Sequence, residues 1–196
     1  MRIISGSARG TRLRSVAAAP LRPMLDRVKE SLFNIIRDSV PGSRVLDLFS
    51  GSGALGLEAL SRGARRCVFV EKEPRLAELA MENAERCRLA DRCEVLRQDV
   101  LELPRRRPDL AGVPADVVFV DPPYALVDDP NGRAVLFGAL EGLAGPWIEP
   151  GAVVVLHHLP IPYAVWPGAR LSERDKRVYG RSQLTFFELL AEGNDG

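Results

Sequence analysis

The chain has 196 residues, of which 46% are hydrophobic and 27% are charged, a composition typical of one globular unit with a good-sized core. No apolar run approaches the roughly 20 residues of a membrane span, and the N-terminus lacks the apolar stretch of a signal peptide. We therefore expect a cytoplasmic protein without a membrane partner, and the formal net charge of +1 points to no particular ligand.

The first part of the chain is basic although the whole is nearly neutral. Residues 1–37 contain eight arginine and lysine residues against two acidic ones, a local charge of +6. Such a segment is typical of phosphate binding; the alternative is that it reflects the preference of this chain for arginine over lysine. We expect RNA contacts from the arginines of this segment, namely Arg9, Arg12, Arg14, Arg22 and Arg27.

The same segment is predicted to form a short β-hairpin over residues 1–15 and an amphipathic helix over residues 24–37. We treat residues 1–40 as an RNA-contacting extension and residues 41–196 as the main region. Together they are expected to form a single globular unit.

Five short apolar runs follow, with helical patterns between them. The runs lie at residues 44–49, 67–71, 93–97, 116–120 and 152–156, and helices are predicted near 54–62, 74–89 and 132–143. Most runs are continuously apolar rather than alternating, which is typical of central strands in a parallel sheet covered on both faces. The alternation of strands and helices predicts an α/β doubly wound fold.

Two further strand-like runs close the chain, at residues 171–179 and 184–189. Gly180 lies between them and can form the turn. We predict an antiparallel pair of strands at one edge of the sheet.

Cysteine and histidine usage argues against a metal site. Cys67, Cys87 and Cys93 form an odd set without C-x-x-C spacing, which also argues against a disulfide framework. His157 and His158 are adjacent on a predicted strand, so their side chains would point to opposite faces and would not chelate one metal ion. We predict that the protein has no metal.

The most informative motif is Asp-Pro-Pro-Tyr at residues 121–124, directly after an apolar strand. These residue types suit methylation of the exocyclic amine of a flat base. Asp121 can accept a hydrogen bond or a proton from the amine, and the carbonyl of Pro122 can face the same amine because proline offers no backbone donor. Tyr124 offers a stacking surface. The alternative is that the prolines only end the strand and the tyrosine packs.

Residues 51–56, Gly-Ser-Gly-Ala-Leu-Gly, fit the pattern G-x-G-x-x-G between a strand and a helix, and we call them the glycine loop. One interpretation is a dinucleotide site, with the pyrophosphate at the helix start and Glu71 on the ribose. Asp47 disfavours it, because a carboxylate just before the loop would repel a pyrophosphate. The same carboxylate suits a ligand with a cationic amino-acid portion.

Acidic residues at the ends of adjacent strands indicate S-adenosyl-L-methionine instead. Asp99 follows the third strand and can accept a hydrogen bond from an adenine amine, although a helix N-cap is the alternative. Ligands bind at the carboxyl ends of strands in open α/β sheets. The predicted cofactor-binding residues are Asp47, Gly51, Ser52, Gly53, Glu71, Lys72, Asp99 and Val100.

Over nearly its whole length the chain resembles the bacterial small-subunit ribosomal RNA (guanine-N2) methyltransferase D family. The matching segments are residues 1–6, 21–23, 26–34, 47–59, 121–124 and 179–180. Residues 22–34 are the specific part, since many methyltransferases share the glycine loop.

The resemblance implies a Rossmann-like class I methyltransferase, with a mostly parallel seven-stranded sheet, helices on both faces and an N-terminal hairpin and helix extension. It implies that S-adenosyl-L-methionine methylates N2 of one guanine, guanine 966, in 16S rRNA of the assembled or assembling 30S subunit. We expect a monomer. Two positions depart from the family: Met24, where threonine is usual, and His157-His158, where an acidic residue is common.

Other functions remain open. The chain could methylate DNA or a protein glutamine, although Asp121 rather than asparagine in the motif disfavours both. It could also be a nicotinamide-dependent oxidoreductase or a catalytically silent RNA-binding module.

Overall fold

Seven strands form one sheet in the computed structural model, which describes residues 1–15, 24–106, 108–110, 112–161 and 166–191. They are β1 Arg44–Leu48, β2 Arg66–Val70, β3 Cys93–Leu96, β4 Ala115–Val120, β5 Ile148–His158, β6 Leu171–Tyr179 and β7 Ser182–Leu189. Their order across the sheet is β3-β2-β1-β4-β5-β7-β6. The first five strands are parallel and β7 is antiparallel to both neighbours, which confirms the predicted mostly parallel sheet with an antiparallel edge.

Helices cover both faces of this sheet, as predicted. They are α1 Asp26–Ile35, α2 Ala54–Ser61, α3 Pro74–Arg86, α4 Tyr124–Asp128 and α5 Pro130–Gly142, with 3-10 helices at Ala90–Arg92 and Val100–Arg105. Helices α1 to α3 share one core cluster, and α4 and α5 share the other. In β4, Val117 and Phe119 belong to the first cluster and Val118 and Val120 to the second. Burial on both sides explains why residues 117–120 of this strand are all apolar.

The helix predicted over residues 132–143 begins earlier. Asp129 caps α5 by accepting a hydrogen bond from the Gly132 amide at 2.8 Å, and Pro130 occupies the first turn. The short helix α4 before it was not predicted. Within the described residues, no helix has both the length and the apolarity needed to cross a membrane.

The predicted N-terminal hairpin is reduced to one antiparallel bridge, between Arg2 and Arg12. The Ile3 amide donates across it to the Thr11 carbonyl at 3.0 Å, and the segment also bonds to α2, where the Ser7 amide donates to the Ser61 carbonyl at 2.8 Å. Gly6 makes this approach possible, because its φ is +83° and a Cβ there would lie 1.7 Å from that carbonyl oxygen. The hairpin prediction was therefore only partly right.

A buried ion pair fastens the same segment to α1 and α2. Glu58 is 0% exposed and accepts hydrogen bonds from the amides of Ile4 and Ser5 at 2.7 and 3.0 Å. Lys29, 1% exposed, lies 3.3 Å from this carboxylate and donates to the Arg2 carbonyl at 2.6 Å. Burial lowers the pKa of Lys29, and Glu58 opposes that shift. Lys29 therefore serves the core rather than a basic surface. The predicted boundary at residue 40 stays a prediction.

Candidate active site

The predicted cofactor residues and the Asp-Pro-Pro-Tyr motif meet at one edge of the sheet. Asp47 and the glycine loop lie at the carboxyl end of β1, Glu71 follows β2, Asp99 follows β3 and Asp121 follows β4. These four strands are neighbours in the order β3-β2-β1-β4. A ligand at this edge can therefore contact every one of these segments.

The glycine loop has a left-handed backbone at two positions. Gly51 has a φ of +53°, and Gly53, which caps α2, has a φ of +80°. Phe49, just before the loop, also has a positive φ of 58°, which costs a non-glycine residue roughly 1 kcal/mol. Strained backbone of this kind is concentrated at functional sites.

Glu71 holds the loop from the neighbouring strand. Its Oε2 accepts a hydrogen bond from the Gly51 amide at 2.9 Å, and its Oε1 accepts one from the Glu73 amide at 2.9 Å. Glu71 is 9% exposed. Each carboxylate oxygen has a second lone pair. The predicted ribose contact remains compatible with these bonds and stays a prediction.

Asp47 lies beneath the loop rather than on its surface. It is 1% exposed, and its Oδ2 accepts a hydrogen bond from the Gly56 amide at 2.9 Å. Burial raises the pKa of this carboxyl well above its usual value, and the charges of Asp121 and Glu71 raise it further. The carboxylate has little exposed surface for the predicted contact with a cationic ligand, and that contact stays a prediction.

Asp99 takes the helix-capping position that was its alternative role. Its Oδ1 accepts a hydrogen bond from the Leu101 amide at 3.1 Å, and its Oδ2 pairs with Lys72 Nζ at 3.1 Å. Val100 is 2% exposed and its side chain belongs to the core, so a cofactor contact there would need its backbone. The predicted adenine contact of Asp99 stays a prediction.

Asp121 and Tyr124 are joined by a histidine. The Asp121 side chain is 35% exposed, and its Oδ1 lies 2.8 Å from His157 Nδ1. The Tyr124 ring meets the same imidazole edge to face, with 6.0 Å between centroids. Pro122 is buried between them in the chain. In the sequence, His157 stood out only as a departure from a family pattern. Its contact with Asp121 could not be predicted, because it depends on the register of the strands.

Two buried polar atoms at this edge have no hydrogen-bond partner within the described part of the chain. They are Ser50 Oγ, directly before the glycine loop, and His157 Nε2. Buried polar groups are nearly always bonded in native proteins. An unbonded hydroxyl beside a glycine loop therefore fits a site built for a polar ligand.

The predicted RNA-binding arginines lie on the surface where they are described. Arg9, Arg12, Arg14 and Arg27 are exposed, and Arg14 pairs with Glu82 at 2.7 Å. Arg22 lies outside the described residues.

Asn83 links the basic segment to the glycine loop, which the sequence did not reveal. Its Oδ1 accepts from the Arg14 amide at 2.8 Å, and its Nδ2 donates to the carbonyls of Arg14 at 3.1 Å and Ser52 at 3.0 Å. Asn83 is 0% exposed. One side chain therefore ties residue 14 to residue 52.

In the described ranges, no group of three or more His, Cys, Asp or Glu side chains is arranged to hold a metal ion. Cys67, Cys87 and Cys93 are all free thiols and buried. Cys67, at the start of the apolar run of residues 67–71, is 1% exposed.

The chain is similar to bacterial proteins that are named as rRNA methyltransferases. Putative rRNA methyltransferase YlbH of Bacillus subtilis is 41% identical over 128 residues, 63% of this chain and 67% of that protein. Ribosomal RNA small subunit methyltransferase D of Haemophilus influenzae is 40% identical over 128 residues, 63% of this chain and 64% of that protein. The alignments thus span about two thirds of these relatives.

A solved structure and a family model extend the likeness to most of the chain. The putative methyltransferase yhhF of Escherichia coli has a TM-score of 0.82 and 28% identity, covering 98% of this chain and 99% of that one. This superposition supports the predicted Rossmann-like class I methyltransferase fold. The model of the family described as Conserved hypothetical protein 95 matches residues 1–188. The chain therefore belongs to the Conserved hypothetical protein 95 family, and its predicted resemblance to the methyltransferase D family is confirmed.

Proposed function

We propose that the chain is an S-adenosyl-L-methionine-dependent methyltransferase acting on the N2 amine of a guanine in 16S rRNA, of the guanine 966 type. The observation that carries this proposal is the position of Asp121. A partly exposed carboxylate and an aromatic ring stand at the carboxyl end of β4, beside the glycine loop that follows the neighbouring strand β1.

The residues at this edge fit S-adenosyl-L-methionine. Glycine-loop amides and the unbonded Ser50 hydroxyl can hold the methionine portion, Glu71 the ribose, and Asp99 with Lys72 the adenine. When bound, the cofactor would supply the methyl group of its sulfonium. The electron pair of the carbon–sulfur bond would stay on sulfur as the amine forms its new bond to the methyl carbon. The relatives' names favour methyl transfer over the dinucleotide alternative.

The protein's own task is to orient a poor nucleophile, since the N2 lone pair of guanine is delocalised into the ring. Asp121 and the Pro122 carbonyl accept hydrogen bonds from the amine, and Tyr124 stacks on the base. Positioning of this kind can contribute several kcal/mol to the lowering of a barrier. Once the amine carries the methyl group it is cationic, and Asp121 accepts the proton that it loses.

The proposed substrate follows from the relatives and from the basic segment. Two relatives are named as ribosomal RNA methyltransferases, one of them for the small subunit. Arg9, Arg12, Arg14 and Arg27 are exposed on the segment that Asn83 ties to the glycine loop, so they can bind phosphates beside the site. We extend the proposal to a monomer that acts on 30S subunits in the cytoplasm.

A nucleoside analysis tests this function. Small subunits and free 16S rRNA from a strain lacking the endogenous enzyme are incubated with the protein and labelled cofactor. Mass spectrometry then identifies the methylated nucleoside and primer extension locates it. We expect N2-methylguanosine at a single position. Label on another base, on DNA or on protein would contradict the proposal.

A further inference from the structure

We propose that His157 is a positioning residue that holds Asp121 and Tyr124 in the geometry needed for transfer. This inference deepens the proposed function and depends on it. The histidine contacts both residues: its Nδ1 is 2.8 Å from Asp121 Oδ1, and its ring meets the Tyr124 ring at a centroid distance of 6.0 Å and an angle of 72°.

Strand register brings these residues together. Strands β4 and β5 are parallel, with Val120 opposite Leu156. The next residue on each strand is Asp121 and His157, which are therefore cross-strand neighbours on the same face of the sheet. The β4 strand ends there, so Asp121 begins a loop. The imidazole stands on a continuous strand, with Leu184 of β7 on its other side. A rigid element thus carries the group that fixes a loop residue.

The hydrogen bond fixes the roles of the atoms. An ionised carboxylate only accepts hydrogen bonds, so His157 Nδ1 carries the proton and donates it to Oδ1. The bond to Oδ1 fixes the orientation of the carboxylate. It therefore also fixes the direction of the second oxygen, Oδ2. The His157 side chain is 3% exposed, so solvent can approach this bond only from the Asp121 side. Hydrogen bonds to a charged group contribute about twice as much as neutral ones.

The other nitrogen supports the same assignment. His157 Nε2 is buried and has no partner among the described residues. A proton on Nε2 would be a buried donor without an acceptor, which is unfavourable, whereas a bare nitrogen there leaves only an unused lone pair. Both nitrogens therefore favour the form with the proton on Nδ1, facing Asp121.

Two substitutions separate the two contacts. His157→Phe keeps a ring beside Tyr124 but removes the donor, and we expect kcat to fall about ten- to a hundredfold with unchanged cofactor affinity. His157→Asn keeps a donor near Nδ1 but removes the ring. We expect it to recover most of kcat and to raise KM for the 30S subunit, because the Tyr124 ring loses its edge-to-face contact with the imidazole. Equal kcat values for the two variants would overturn the proposal.

The adjacent residue provides a matched control. His158 is also buried on β5, but it faces the other side and bonds to Thr185 Oγ1 at 2.9 Å. His158→Asn should lower the melting temperature and leave kcat within about twofold. A loss of kcat as large as that of His157→Phe would show that packing alone is responsible, and would contradict the positioning role.

Nitrogen NMR of the apo protein gives a readout that needs no turnover. We expect His157 Nδ1 to be protonated in the wild type, and its proton signal to shift in Asp121→Ala. A bare Nδ1 would overturn the inference. If the wild type methylates no rRNA, the proposed function itself has failed. If the wild type is active but the His157 substitutions leave kcat unchanged, only this inference has failed.

Discussion

Asp121 stands where the buried sheet ends and the exposed motif begins. Its backbone amide donates to the Leu48 carbonyl of β1 at 3.4 Å, and its side chain bonds to β5 through His157. The carboxylate is therefore held from both neighbouring strands while it remains partly exposed. This combination suits a group that must meet a substrate in a fixed direction.

Asp121→Ala should abolish methyl transfer while leaving cofactor affinity nearly unchanged, because the proposed role of the carboxylate is to bind the amine of the substrate and not the cofactor. Single-turnover rates and calorimetric titration with S-adenosyl-L-homocysteine measure the two effects. Asp128→Ala, which removes an exposed carboxylate from α4, is the control. Activity of Asp121→Ala within about tenfold of the wild type, equivalent to about 1.4 kcal/mol, would show that the assigned role is wrong.

Tyr124→Ala should weaken turnover on RNA more than it weakens cofactor binding. Stacking of a base on an aromatic ring contributes about 1–3 kcal/mol, so KM for the rRNA should rise about five- to a hundredfold. Steady-state kinetics with 30S subunits, beside a titration of the cofactor, measures both. Equal losses in the two assays would indicate that Tyr124 only supports the fold.

At the scale of single residues, the sequence predicts features whose residues are adjacent in the chain. The Asp-Pro-Pro-Tyr motif and the glycine loop are short and follow strands, so their roles could be proposed without coordinates. His157 could not be assigned, because it is 36 positions from Asp121 and they meet only through the register of β4 and β5. The burial of Asp47 was missed for the same reason, since it depends on how α2 starts above β1.

At the scale of the elements, hydrogen bonds of one side chain join the N-terminal segment to the glycine loop. Asn83, on α3, makes three hydrogen bonds to the backbone of Arg14 and Ser52. Ordering of the glycine loop is therefore transmitted through Asn83 to the N-terminal segment, which carries exposed arginines.

Asn83→Ala should lower both stability and cofactor affinity, because it removes three hydrogen bonds to partly buried backbone groups, at about 1 kcal/mol each. Thermal unfolding and cofactor titration measure the two. Glu82→Ala is the matched control: it removes an exposed ion pair to Arg14, which contributes about 1 kcal/mol or less. If both variants behave alike, the buried bridge has no special role.

The basic segment should supply salt-dependent, sequence-independent affinity for RNA. Replacing Arg9, Arg12 and Arg14 with alanine should reduce the slope of log K against log salt by about two to three. The control replaces Arg174, Lys176 and Arg177 on β6, which removes the same charge from the far edge of the sheet. The assignment fails if the slope is unchanged, or if both triple variants change it equally.

Strands and helices were largely predictable because burial on both faces leaves a continuous apolar run. The hairpin was only partly predictable, since its amides bond both across the turn and to α2, including Glu58. Residues that look basic and exposed can also be internal, as Lys29 shows. Such partners are distant in the chain, so a local pattern does not contain them.

For the whole molecule, pH stability should depend on His158. Burial lowers the pKa of His158 to about 4 from the usual 6.5. Between these values the unfolded chain binds a proton that the folded chain does not, so the free energy of unfolding decreases as the pH falls from 6.5 to 4. The total loss from this residue is about 3 kcal/mol.

In His158→Gln, the free energy of unfolding should therefore decrease less than in the wild type as the pH falls from 6.5 to 4. Urea unfolding at several pH values measures the difference, and comparison with the wild type cancels the contributions of carboxylates such as Asp47. Parallel acid limbs for the two proteins would contradict the assignment.

The composition and the alternation of elements predicted the fold class of the molecule, but not the full strand order. The order β3-β2-β1-β4-β5-β7-β6 depends on which crossovers reverse direction and on how the last two strands pair. It places β1 and β4 side by side at the centre, which is what brings the glycine loop next to Asp121.

A crystal structure with S-adenosyl-L-homocysteine provides the decisive measurement. We expect the thioether sulfur above the glycine loop, facing the Asp121 carboxylate across a gap that accommodates one methyl group and one amine, with Tyr124 alongside. A sulfur on the far side of the loop, or an Asp121 side chain turned away from it, would contradict the proposed transfer.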